Sequence, residues 1–234
     1  MSERRDRRGK SSESVDNYLK AILTLGGSDS QGRRVSSKSL SDRLGVAPAS
    51  VTNMLQKLAA AACPLVEYER HRGVSLSVQG RLRALEVVRH HRLIETFLYE
   101  ILDYPIEEVH EEAERLEHFI SERFEERIAA KLGHPRIDPH GHSIPTLEGE
   151  MPQQRSILLT EVVSEGTFLI DSIPDHDSTK LRLLQSSGIT PGTRLRVRKS
   201  EDAEGYQVRV GLSPESLDLS PEIAHEIRIV PVTE

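Results

Sequence analysis

Apolar positions recur along the chain with two periods, 3.6 residues in the first 130 positions and two in the last 80, and an aperiodic stretch separates them. Val15, Tyr18, Leu19, Ile22 and Leu23 fall on one side of a first helix, capped by Ser12 or Ser14 and stopped near Leu25 by Gly26 and Gly27. Ser36 or Ser37 starts a short helix to Leu44, and Gly45 supplies the left-handed residue that ends it. Pro48 suits the first turn of a further helix to about Ala62, with Val51, Leu55 and Leu58 on its inner face and Pro64 beyond its end. The segment LVEYERHRGVSLS reads as two short strands around a turn of Arg70, His71, Arg72 and Gly73.

From Ser77 a long helix runs to about Leu102, with Leu82, Leu85, Leu93, Ile94, Phe97, Leu98 and Ile101 apolar. Pro105 separates it from a helix over Ile106–Ile120, where Ile106, Val109, Ala113, Leu116 and Ile120 form a stripe about 60° wide. SERFEERIAAKLG continues in helical register. Residues 133–154, rich in Pro, Gly and His, lack any period and read as a solvated linker. Beyond it SILLTEVV, GTFLIDSI, TRLRVRKS, YQVRVGL and EIRIVPV alternate as strands, and TKLRLLQSSGITPG supplies one helix, which together predict a small SH3-like β-barrel. The expected fold is therefore mainly α with small β, in three domains: a winged helix-turn-helix over 1–80, a helical domain with its linker over 81–150, and an SH3-like domain over 151–234.

Composition changes this picture little; charge placement changes it more. The 36% hydrophobic and 29% charged residues fit a water-soluble protein, and no apolar run approaches the roughly 18 residues that span a bilayer. MSERRDRRGK has no apolar segment after it and is no secretory signal, so a cytoplasmic protein without a membrane partner is expected. Residues 1–12 read as a solvated tail suited to touching phosphates. Cys63, the only cysteine, excludes an internal disulfide and a multi-thiolate zinc site and is expected as a small buried hydrophobe. Residues 1–80 carry 13 Lys and Arg against 8 Asp and Glu, residues 81–150 carry 9 against 16, and residues 151–234 carry 9 against 13. A basic first third before an acidic middle suggests a polyanion partner for the one and cations for the other.

Two short helices joined through a glycine turn, followed by a basic hairpin, point to DNA; a helical protein-binding domain is the plainer alternative. The side chains placed at the duplex are Ser37, Lys38, Ala49, Ser50, Thr52, Asn53, Lys57 and Arg72. Asn53 suits an adenine edge and Ala49 a thymine methyl, while Lys38, Lys57 and Arg72 suit phosphates. Beside the stripe of the 106–120 helix, His110, Glu114, Glu117 and His118 share a face spanning about 100°, which is either an acidic solvated surface or a metal site. His91 and Glu95, at i and i+4 on the preceding helix, favour metal, because an antiparallel pairing would bring both sets together. His90 points about 100° away and is expected at the surface. His134, His140 and His142 could bind metal opportunistically but are assigned to the solvated linker, and Arg194, Arg196, Arg198 and Lys199 could bind nucleic acid but are assigned to a wetted strand face. A helical di-metal carboxylate enzyme is the alternative from another class, but it needs Glu-x-x-His on two helices and only Glu107 to His110 fits; a purely structural metal is a third reading. No nucleophile triad, phosphate loop or dinucleotide fingerprint is present, so no small organic substrate is expected.

The order of parts, with HHRLIE and VHEEAERLEH on successive helices, resembles the diphtheria toxin repressor family of iron-dependent and manganese-dependent regulators, over roughly residues 13–234. The resemblance implies a homodimer, held by an all-helical dimerisation and metal-binding domain, that binds a palindromic operator in double-stranded DNA when divalent metal is present and represses metal-uptake genes. It implies a primary site of Asn17, Glu114, Glu117 and His118, and an ancillary site of His91, Glu95 and His110 with His176 from the C-terminal domain; the manganese-type resemblance alternatively implies His91 in a centre shared with the primary ligands. Iron-type members have Cys at position 114 and manganese-type members Glu, so Glu114 favours Mn(II), with Fe(II) second. Two departures concern the first helix: Asn17 stands where relatives have Met or Asp, and Lys20 where manganese-type members have Glu, which leaves Asp16 as an alternative ligand. At the barrel, His176 replaces a carboxylate that Asp177 could supply.

Overall fold

A computed structural model describes residues 13–27, 33–200 and 205–232. The N-terminal tail and Ser12 lie outside the described residues. The chain forms two compact units, one built on residues up to His90 with Pro145–Pro152, the other on His91–Ile144 with the chain from Gln153 onward.

In the first unit, α1 (Glu13–Gly26), α2 (Ser37–Leu44) and α3 (Pro48–Ala59) precede a hairpin of β1 (Val66–Glu69) and β2 (Gly73–Leu76). The Ser36 hydroxyl accepts the Ser39 amide at 3.0 Å to start α2, and Gly45, at φ 63°, ends it. Pro48 opens α3, which stops at Ala59, three residues before the expected end. Leu19 and Ile22 of α1, Leu40 of α2, Val51, Leu55 and Leu58 of α3, and Val66 and Val74 of the hairpin share one core. The hairpin is antiparallel with Val66 opposite Leu76, and Val35 adds a bridge to Val74. Cys63 is exposed rather than buried, because it follows the end of α3 in a run of bends.

α4 (Val78–Leu102) begins in the first unit and ends in the second. His90 is fully buried, contrary to the expected surface position; α4 is covered on most sides, with Ala84, Leu85, Val87, Val88, Leu93 and Ile94 all buried, so an offset of about 100° still leads inside. In the second unit, Leu93, Ile94 and Leu98 meet Val109 and Ala113 of α5 (Ile106–Leu116) and Ile128 and Ala129 of α6 (Glu122–Lys131). The expected helix to Ile120 stops at Leu116, and Glu117 to Phe119 form a turn. Ser121 then caps α6 by accepting the Phe124 amide at 3.3 Å. Residues 133–144 are not a solvated linker: Ile137 bridges Ser143, Ile144 joins the helical core, and Asp138 and His140 are buried.

The C-terminal part contains β3 (Ile157–Leu158), a 3-10 turn, β4 (Gly166–Ser172), α7 (Ser178–Ser186), β5 (Arg194–Lys199), β6 (Tyr206–Val210), β7 (Leu217–Leu219), α8 (Pro221–Ala224) and β8 (Arg228–Pro231). All pairings are antiparallel in the order β3-β8-β4-β5-β6-β7. Alternation puts Leu195, Val197, Tyr206 and Val208 into a core closed by Leu181 and Leu184 of α7. This is an SH3-like sheet, but not the closed barrel expected, since among the described residues β3 and β7 do not pair. These end strands have only two and three residues, too few for a continuous closing ladder.

Candidate metal centre

Three segments of the second unit supply the site. The C-terminal half of α4 presents His91 and Glu95 one turn apart; α5 presents His110 and Glu114; the turn beyond α5 carries Glu117 and His118. His91 stands between the two sets: its Nδ1 is 2.5 Å from Glu117 Oε2 and its Nε2 is 2.9 Å from Glu95 Oε1. His110 Nδ1 lies 3.1 Å from His91 Nε2 and 3.2 Å from Glu95 Oε1, and its Nε2 lies 3.8 Å from Glu114. His118 Nε2 is 3.4 Å from Glu117 Oε1. Glu117 is fully buried, and it faces His91 because the chain leaves the helix after Leu116.

Residues of the presumed linker and the C-terminal domain enter the same neighbourhood. Asp138 Oδ1 accepts the backbone amides of His140 and His142, each at 2.9 Å, which turns both imidazoles toward the side of its free oxygen. His140 Nε2 is 3.3 Å from the Ile106 carbonyl, which leaves Nδ1 facing Glu95 Oε2 at 3.8 Å. Of the candidates in the C-terminal domain, Asp175 reaches Glu95 and His110. His176 is exposed, with Nδ1 3.3 Å from Asp175, and Asp177 accepts the amides of Thr179 and Lys180 as the cap of α7. The sequence reading missed Asp138 and Asp175 and set His140 aside with His142 as linker; the i, i+2, i+4 spacing of DPHGH was the available signal for Asp138 and the two histidines.

Four buried atoms here have no hydrogen-bond partner: Glu95 Oε2, Asp138 Oδ2, His140 Nδ1 and His142 Nδ1. Leaving each orphaned costs about 1–3 kcal/mol, so a set of carboxylate and imidazole donors turned together fits a cation among them. Charge agrees with this. Burial alone would raise the Glu95 carboxyl, but the His91 charge, together with the neighbouring His110 and His140 imidazoles, holds it well below the usual range. Burial likewise works against charge on His140 and His142, yet Glu95 for the first and Asp138 for the second, with Asp175 behind both, raise them. Asp175 is lowered against its own burial by His176 and His142.

In the first unit, Lys38, Ala49, Ser50, Asn53, Lys57 and Arg72 are exposed, while Ser37 and Thr52 are half-buried. The Thr52 hydroxyl donates to the Pro48 carbonyl at 3.1 Å, and Arg72 donates to Glu69 at 3.0 Å. Asn17 is half-buried on α1, and Asp16 is held by Arg83 at 2.7 Å.

Comparison with known proteins follows this division. Residues 10–74 match the family model described as iron dependent repressor, N-terminal DNA binding domain; residues 77–146 match the iron dependent repressor, metal binding and dimerisation domain; residues 157–231 match the FeoA domain. The iron-dependent repressor IdeR of Mycobacterium tuberculosis is 28% identical over 230 residues, 93% of this chain and 96% of that protein. The diphtheria toxin repressor of Corynebacterium diphtheriae is 25% identical over 93% of this chain and 96% of its own. Among solved structures, a manganese-dependent transcriptional repressor in complex with manganese is 38% identical, with a TM-score of 0.83 over 93% of this chain and all of that one. ScaR with bound Zn2+ is 30% identical, with a TM-score of 0.78 over 93% of this chain and 99% of that one. These relatives are repressors rather than enzymes, and with them the chain belongs to the iron-dependent repressor family of metal-dependent transcriptional regulators.

Proposed function

We propose that this chain is a homodimeric repressor that binds operator DNA when Mn(II), or secondarily Fe(II), occupies the centre around His91. Four orphaned donor atoms buried among carboxylates and imidazoles carry the reading. The domain limits proposed are 1–80 for DNA binding, 81–150 for metal binding and dimerisation, and 151–234 for the SH3-like part. One ion set takes Glu114, Glu117 and His118; Asn17 is added on the resemblance alone. The other set takes Glu95, Asp138, His140 and Asp175, and His91 and His110 stand between the two. His176 is left as an outer partner of Asp175. A bound divalent ion takes over the neutralisation of the clustered carboxylates from the protonated imidazoles, whose protons it displaces. Glu95, Glu117 and Asp175 are then fixed by the metal, and the turn after α5 and the DPHGH loop are held in place. A coupling of about 1–3 kcal/mol, a factor of about 5–150 in DNA affinity, is the usual size of such linkage, and DNA must tighten metal binding by the same factor. At the duplex, Ala49, Ser50, Thr52 and Asn53 face base edges, and Ser37, Lys38, Lys57 and Arg72 face phosphates. The donor set, nitrogen and oxygen without sulfur, is suited to Mn(II) and Fe(II).

The test selects duplexes from a random pool with Mn(II) present and then measures their binding by fluorescence anisotropy with and without metal. The intact protein should bind at least about fivefold more tightly with Mn(II), and Glu114→Ala should lose that dependence. A metal dependence unchanged in Glu114→Ala would remove this residue from the sensor.

A further inference from the structure

His142 stands beside the set of Glu95, Asp138, His140 and Asp175 without a place in it, and its side chain is half-buried. Its Nδ1 is buried without a hydrogen-bond partner, 3.5 Å from Asp138 Oδ2 and 3.5 Å from Asp175 Oδ2. Both separations exceed the 2.7–3.2 Å or so of an N–H···O bond, so the ring donates to neither carboxylate. They are within a few tenths of an ångström of the spacing of donors around an ion, which for bonds of about 2.1 Å is about 3.0 Å in an octahedron and about 3.4 Å in a tetrahedron, so an octahedral ion would draw these atoms inward. A ligand atom from each of Asp138, His140 and His142 lies within 4.8 Å of the others.

The backbone fixes this placement. Asp138 Oδ1 takes the amide of His142, so the imidazole and the second Asp138 oxygen emerge on one side of the turn. The His140 carbonyl accepts the Ile173 amide at 3.0 Å, and Gln154 donates to the Gly141 carbonyl at 2.8 Å, which ties the loop to the end of β4 just before Asp175. Arg92 also approaches Asp138, with Nε 3.5 Å from Oδ2 as an ion pair, but its guanidinium donates to the Ser143 carbonyl and the Asp138 oxygen keeps no hydrogen bond.

We propose that His142 is a direct ligand of the ion held by Glu95, Asp138, His140 and Asp175, making a five-donor set of three carboxylates and two imidazoles. Five hard or borderline donors with one position left for water suit a six-coordinate ion such as Mn(II), and disfavour the four-coordinate preference of Zn(II). The proposal rests on the metal-dependent reading above, and the experiment separates the two.

Full-length protein is loaded with Mn(II) alone, and the affinity and number of ions per chain are measured by equilibrium dialysis. Pulsed electron paramagnetic resonance then reads the nitrogen couplings at Mn(II). The intact protein should bind Mn(II) with imidazole couplings. His142→Ala should lose one of these, weaken one ion by about tenfold or more and shift its Mn-to-Zn preference toward Zn(II). His142→Gln, which offers a carbonyl oxygen, should recover part of the affinity without the lost coupling. Circular dichroism of each metal-free variant checks the fold, and if His142→Ala does not fold, the nitrogen couplings of His142→Gln decide. Couplings and affinity unchanged in the folded variant overturn the role of His142 and leave the regulator reading standing. An intact protein that binds no Mn(II) overturns both.

Discussion

Gly141 shows how a single residue can hold the centre together without donating to it. It has φ 90°, and a Cβ there would lie 2.0 Å from the Asp171 carbonyl oxygen, so alanine would force the DPHGH loop away from β4. Strain of this kind costs about 1–3 kcal/mol. Gly141→Ala should therefore lower the melting temperature of metal-free protein and weaken Mn(II) binding, and unaltered values in both would mean that the loop position is not set here. The imidazoles predict a pH dependence whose sign is fixed. His140 and His142 are raised against their own burial by the carboxylates around them, so each holds its proton to higher pH than a free imidazole does. A ligand nitrogen must give up that proton, so metal affinity falls as the pH drops through the raised values, by up to about tenfold per pH unit for each proton displaced. Mn(II) titrations at pH 8, 7 and 6 should show this decline, and a flat profile would exclude both rings as ligands.

Among the elements, α3 carries the most direct prediction for DNA. Lys57 is exposed near its C-terminal end. If it holds one phosphate, Lys57→Ala should reduce the slope of log affinity against log salt by about 0.9, and an unchanged slope would place it off the duplex. The elements legible in the sequence were those whose period and punctuation agree locally: Ser36 and Gly45 bound α2, Pro48 opens α3, and the Arg70–Arg72 turn joins β1 to β2. The less legible ones depend on distant partners. α5 ends at Leu116 where the buried Glu117 meets His91, 26 residues earlier, and no local pattern announces that. The DPHGH loop has no period because Asp138 and the backbone near Ile173 hold it, so its histidines read as solvated. β7 is three residues between turns, below what alternation can reveal. Of the site, the helical His and Glu residues were found through i, i+4 spacing, whereas Asp175 was displaced by its neighbours His176 and Asp177, which only the path of the loop distinguishes.

At the scale of the whole molecule, the proposed function calls for a dimer, because a palindromic operator would present two half-sites and one chain supplies a single reading helix. The helical part of the second unit exposes large apolar side chains that a monomer would leave in water: Phe119 is 74% exposed, Leu102 50% and Phe124 48%. Phe119 stands on the turn beyond α5, two residues from Glu117, so a partner covering it would also steady the backbone that presents the carboxylate. The double variant Leu102→Asp with Phe119→Asp should therefore sediment as a monomer. The clustered donors around Glu95 come from one chain, so its ion there should be retained, with at most a modest loss of affinity. Its DNA affinity should fall further, by about 100-fold or more, since joining two modules commonly gains a factor of about 10²–10⁴. A variant that remains dimeric in sedimentation equilibrium would place the interface on another face, while a monomer that keeps its full operator affinity would remove dimerisation from the mechanism.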